Sequence, residues 1–134
     1  MTKISVSQRR IAEARELLES LGFSGRQSNE LASRTLLALL GLSPRAEWET
    51  ASGAPKTIRE IIDFIGENYP PRPAENTRET VRDEVVKHFV THGLLMRNAD
   101  DPARPTNSSK TNYRLTPESL PVAAQTVRPS SPRC

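Results

Sequence analysis

The chain has a single cysteine, Cys134, and it is the last of 134 residues. A lone thiol excludes an internal disulfide and a Cys-rich zinc site, and it makes a reducing, cytoplasmic setting the expectation. Aromatics are also scarce, with one Trp, two Tyr and three Phe. The six glycines are scattered singly, so there is no Walker loop and no Gly-rich dinucleotide turn. The longest uncharged apolar stretch, residues 35–42, is far short of the roughly 20 residues that cross a bilayer, so no membrane partner is expected. No charged-then-apolar signal segment opens the chain. Proline is absent before Pro44 and then frequent. What remains is a 35% hydrophobic chain of low mean hydropathy (−0.57), long enough for one modest domain if its apolar residues concentrate.

They concentrate at helical spacing. Ser7 is placed to cap a first helix carrying Ile11, Ala14, Leu17, Leu18 and Leu21, ending at Gly22. A second helix is expected after Ser24, with Gln27 as its capping-box partner, running through Leu31, Ala32, Leu36, Leu39 and Leu40 to Gly41. Trp48, in a Pro- and Gly-punctuated stretch, reads as a core plug. Thr57-Ile58-Arg59-Glu60 is a capping box for a third helix with Ile58, Ile61, Ile62 and Ile65 on one stripe. Pro70, Pro71 and Pro73 forbid its continuation. Asn76-Thr77-Arg78-Glu79 is a second capping box, opening a helix with Val81, Val85, Val86 and Phe89 inward, which Gly93 stops. Residues 94–97 and 112–115 read as two short strands flanking a polar loop.

Helix, proline-rich turn, helix and hairpin is the order of a winged helix-turn-helix. The fold class expected is therefore mainly α, with a small β-hairpin wing. Residues 1–25 form an N-terminal helical extension, 26–120 the winged domain, and 121–134 a disordered Pro/Ser-rich tail. The helix beginning at Thr77 is the candidate reader of the major groove. Thr77, Thr80, Glu84 and Lys87 project away from its apolar side, Arg78 reaches outward from its first turn, and Arg82 emerges along the flank toward phosphate. Its surroundings are neutral: Lys56, Arg59, Arg72, Arg78, Arg82, Lys87 and Arg97 balance Glu60, Asp63, Glu67, Glu75, Glu79, Asp83 and Glu84. The basic excess lies in the N-terminal helices and in the wing, where Arg97, Arg104, Lys110 and Arg114 face only Asp100 and Asp101. Asn107, Ser108 and Tyr113 add hydrogen-bonding groups there. The DNA-contact candidates are thus Thr77, Arg78, Thr80, Arg82, Arg104, Asn107, Ser108, Lys110 and Tyr113. The alternative is a protein-interaction or dimerisation module that has lost DNA binding, which the neutral helix favours.

Catalysis finds no support. His88 and His92 stand four apart, but the zincin glutamate is missing and no cysteine can join them. A common type of metal-dependent nuclease sets a carboxylate two positions before a lysine. Met1, Ala54, Val85 and Ser108 stand at that spacing before Lys3, Lys56, Lys87 and Lys110. No catalytic or metal residue and no cofactor are assigned.

Residues 31–42, followed by Ser43-Pro44-Arg45-Ala46-Glu47-Trp48, then Asn76-Thr77-Arg78-Glu79-Thr80-Val81-Arg82, then Asp100-Asp101-Pro102-Ala103-Arg104-Pro105 through Lys110 and Tyr113, form a long ordered pattern. It resembles the N-terminal helix-turn-helix domain of BsuBI/PstI-type restriction endonucleases over residues 27–120. The resemblance implies a module that binds double-stranded DNA beside a magnesium-dependent nuclease domain, in an enzyme that acts on a palindrome as a homo-oligomer. The nuclease domain has no counterpart in these residues, and the chain departs from the family after Glu118. A DNA-binding module that is a truncation, a frameshifted remnant or a stand-alone domain is the expectation that follows.

Overall fold

The computed structural model describes residues 6–23, 25, 29–46, 51, 53–70, 72–98, 103 and 111–116. Helix α1 spans Val6–Ser20 and α2 spans Glu30–Leu40; strand β1 is Lys56–Thr57 and runs directly into α3, Ile58–Asn68. Helix α4 has three contiguous runs, Thr77–Thr80, a π-helical Val81–Val86, and Lys87–Thr91. Strands β2 (Leu95–Arg97) and β3 (Asn112–Leu115) complete the fold. The expected mainly α winged arrangement is present.

One hydrophobic cluster joins every helix. Leu17 and Leu18 of α1, Leu36 to Leu40 of α2, Ile61 and Ile65 of α3, Val81, Val85, Val86 and Phe89 of α4, and Leu95, Tyr113 and Leu115 of the sheet all belong to it. The helix over residues 6–20 therefore shares the core of the winged domain. Helix α2 is its centre, with every residue from Thr35 to Leu40 buried and the charged Glu30 and Arg34 confined to its first two turns. Tyr69 closes α3 and donates its hydroxyl to the Leu42 carbonyl at 2.7 Å, inside the core. Phe23 meets Phe89 edge to face, with ring centroids 5.1 Å apart.

Several local expectations need correction. Ser7 lies inside α1, which begins at Val6, so it is not the cap. Leu21 is exposed, because the chain has already left the helix there. Helix α2 starts at Glu30, and Asn29 caps it by accepting from the Ala32 N–H at 2.9 Å; Ser24 and Gln27, offered for that role, lie outside the described residues. So do Trp48 and the tail over 121–134. Gly41 ends α2 at φ +68°, a left-handed conformation that glycine adopts without a Cβ penalty.

The two capping boxes have different fates. At α3 both halves form: Glu60 N–H donates to Thr57 Oγ1 (3.2 Å) and Thr57 N–H to Glu60 Oε1 (2.8 Å). At α4, Asn76 takes helical dihedrals and makes no side-chain cap. The preceding turn already supplies acceptors, since Thr77 N–H donates to the Ala74 carbonyl (2.8 Å) and Arg78 N–H to that of Glu75 (3.2 Å). The expected hairpin is also part of a larger sheet. β3 is central, paired antiparallel with β2 on one side and with β1 on the other. β2 begins at Leu95, one residue later than the sequence suggests.

Candidate nucleic-acid interface

The π-helical run shapes the outward side of α4. Lys87 N–H donates to the Arg82 carbonyl, an i→i−5 bond in place of the α-helical i→i−4. At the ~100° per residue of an α-helix, Val81 and Val86 would point about 140° apart. With i→i−5 bonding, residues five apart come into line, and both valines are completely buried. The same phase change aligns Arg82 with Lys87 on the outside, and Thr91 follows one α-turn later.

These three residues face the wing. A groove of about 500 Å³ runs between α4 and the sheet, lined by Arg82, Asp83, Lys87, Val90, Thr91, Arg97 and Tyr113. The sheet register places Arg97 opposite Tyr113 and Tyr113 opposite Lys56, so one sheet face carries a cationic residue on each side of the tyrosine. Tyr113 is 5% exposed and forms the floor of the groove. Burial pushes its hydroxyl pKa up, while Arg97 and Arg82 pull it back. Arg82 is held by a bidentate pair with Asp83, Nε to Oδ1 at 2.9 Å and Nη2 to Oδ2 at 3.2 Å. That hydrogen-bonded charge raises the Arg82 pKa and lowers that of Asp83.

The wing is anchored at its base. Asn98, at φ +50° and buried, donates its N–H to the Asn112 carbonyl (2.8 Å) and accepts from the Asn112 N–H through Oδ1 (3.0 Å). Asparagine tolerates this left-handed conformation better than most residues. The chain thus turns out of β2 just where the polar loop begins.

The sequence-derived residues fall into separate places. Arg82 and Tyr113 meet in the groove. Thr80 lies on another side of α4, in a hollow with Glu84 that Asn29 and Leu31 of α2 also line. Glu84 and Lys87, grouped together by α-helical phase, are therefore on different sides. Thr77 is half-buried at the start of α4. Arg78 is exposed, 3.9 Å from the Glu75 carboxylate, and lines a cleft with Arg59, Ile62, Arg72 and Glu75. The first-turn N–H groups of Thr77 and Arg78 are engaged by the Ala74 and Glu75 carbonyls. Arg104, Asn107, Ser108 and Lys110 lie outside the described residues.

Sequence reasoning passed over Thr91, and it counted Arg59, Arg72 and Arg97 only as charge. Gly66 was a usable signal for Arg72, because a glycine inside a helix asks what crosses it. Among the described residues no group of three His, Cys, Asp or Glu side chains could hold a metal ion. His92 donates through Nδ1–H to the His88 carbonyl (2.9 Å) and its ring lies 5.0 Å from that of Phe23. No helix of the described residues is long and apolar enough to cross a membrane.

Comparison with known proteins agrees with this architecture. The chain is 34% identical over 110 residues to the type II restriction enzyme BsuBI of Bacillus subtilis, covering 82% of this chain and 35% of that enzyme. It is 32% identical over 108 residues to the type II restriction enzyme AplI of Arthrospira platensis, covering 81% of this chain and 33% of that one. The chain therefore spans about a third of the length of these relatives. The solved structure of the SdaI restriction endonuclease superposes with a TM-score of 0.81 at 31% identity, covering 95% of this chain and 39% of that one. The sequence model of the BsuBI/PstI restriction endonuclease HTH domain matches residues 8–128, and the chain belongs to that family.

Proposed function

We propose that this chain is a duplex-DNA-binding winged-helix module of a type II restriction enzyme. Helix α4 enters the major groove and the wing tracks the sugar-phosphate backbone. The observation that carries the reading is the row Arg82, Lys87 and Thr91 facing Arg97 across one open groove. Such a row offers cationic and hydroxyl donors to phosphates and base edges from the second helix of the helix-turn-helix. For these residues the role proposed is binding, with the bond-breaking chemistry assigned elsewhere in the enzyme.

Anisotropy titration of a labelled duplex at low and high salt tests it. Binding that weakens steeply with salt is expected, and Arg78→Ala should lose about 1–3 kcal/mol on the preferred sequence if Arg78 reads guanine. A second reading, a protein-interaction module, is favoured by the pairing of Arg82 with Asp83 and of Arg78 with Glu75. Absence of duplex binding at every salt concentration would select it.

A further inference from the structure

Between the first turns of α3 and α4 lies the arginine cleft, and one of its members is seated by an unusual arrangement. Gly66 sits inside α3, where glycine is the poorest helix former after proline. A Cβ at that position would meet Arg72 Cβ at 3.0 Å and Cγ at 3.1 Å. The arginine stem thus lies against the bare helix backbone. Its Nη1 reaches Asp63 Oδ1 at 2.5 Å, and Pro73, next in sequence, restricts the Arg72 backbone. Arg59, from the first turn of α3, and Arg78, from the first turn of α4, line the same cleft. Three guanidiniums against the carboxylates of Asp63 and Glu75 leave one net positive charge. The side chains of Arg72 and Arg78 are 48% and 51% exposed, so the donors are open to a ligand.

We infer that this cleft is a phosphodiester clamp: Arg72, positioned by Gly66 and Asp63, and Arg59 grip one backbone phosphate of the duplex that α4 reads. The inference rests on the DNA-binding reading above and adds a second contact at the N-terminal end of the helix. Guanidinium is the suited group, because its planar fork matches the oxygens of a phosphate.

The test titrates the full chain and its Arg72→Ala, Arg59→Ala and Gly66→Ala variants against a labelled mixed-sequence duplex of ~20 bp over a salt series. The Arg59→Ala/Arg72→Ala double variant should shallow the log-log salt slope by about 0.9, which corresponds to roughly eightfold weaker binding at ~0.1 M salt, and each single variant should lose part of that, alike on every duplex sequence. Gly66→Ala should weaken binding in the same sense, and adding it to Arg72→Ala should produce no further change. If the parent binds but both arginine variants keep its slope and affinity, the clamp is refuted while the DNA-binding reading stands. If the parent does not bind the duplex at the lowest salt, both fail together. Calorimetric titration with inorganic phosphate separates the anion source: saturable phosphate binding with unchanged duplex binding in Arg72→Ala would overturn the clamp in favour of a free-anion site.

Discussion

Replacing Asp83 by Asn should make the chain a tighter DNA binder. Asp83 occupies two of the donors of Arg82 and sets a negative charge in the groove proposed to meet DNA. At about 7 Å from a phosphate, one unit charge contributes roughly 0.6 kcal/mol of repulsion in water, about threefold in affinity. If the freed Arg82 then takes a phosphate of its own, the salt slope steepens by about 0.9, roughly eightfold at ~0.1 M salt. The expected gain at ~0.1 M is therefore about threefold from the lost repulsion alone and up to roughly twentyfold if Arg82 also takes a phosphate, shrinking toward none near 1 M. Stability should move by less than about 1 kcal/mol, because both side chains are about half exposed (49% and 53%) and the pair is screened. The pH dependence has a definite sign. The folded-state pKa of Asp83 is lowered, chiefly by the hydrogen bond from Arg82, so its charge persists throughout the neutral range. The pair's small stabilisation is present above the ordinary aspartate pKa and is lost as pH falls through the lowered one. The affinity advantage of the variant should narrow over the same acidic range. Salt-resolved anisotropy on parent and variant measures all of this. Weaker binding by Asp83→Asn, or a gain independent of salt, would refute the assignment of the groove to the backbone.

Three stability predictions follow from the core and the caps. Tyr69→Phe leaves the Leu42 carbonyl without its buried donor and should cost about 1–3 kcal/mol, read from chemical denaturation. Burial raises the Tyr69 pKa above its ordinary 10.0. The linked stability is complete below about pH 10 and falls as pH rises beyond it, so the Phe variant should show a flatter alkaline stability profile. Thr57→Ala removes one half of the α3 capping box and should cost about 1 kcal/mol; an unchanged midpoint would show that the strand, not the cap, starts the helix. Phe89→Ala opens a cavity beneath Phe23 and should cost about 3–5 kcal/mol by thermal melting.

What the sequence could reveal follows the range of each interaction. The Thr57 and Glu60 box is legible because both partners lie within one helical turn. The Asn76 motif has the same spacing and fails, because Asn76 takes helical dihedrals in place of the extended ones that aim a capping side chain at the first turn. Strand β1 has two residues, and its partners, Tyr113 and Asn112, lie far along the chain, so no local pattern announces it. The π-helical run is hidden for a different reason. Valines at 81, 85 and 86 with Phe89 fit an α-helical stripe nearly as well, and only the hydrogen bond from Lys87 to Arg82 decides the phase. Thr80, Glu84 and Lys87 were placed together for that reason, and the structure separates Lys87 from the other two. Arg82 needed no long-range knowledge, since its flank position follows from its place beside the buried row.

Thr57 belongs to two elements at once: it pairs with Asn112 in the sheet and caps α3 through Glu60. The root of the wing and the first helix of the helix-turn-helix thus share a residue, with no linker in which to flex. On the proposed reading, the distance from wing to recognition helix is a fixed gauge held against the duplex. A site whose groove width departs from that gauge must itself bend or narrow, and the energy of doing so depends on base steps that no side chain touches. Part of this module's discrimination between sequences would then reside in the stiffness of the DNA.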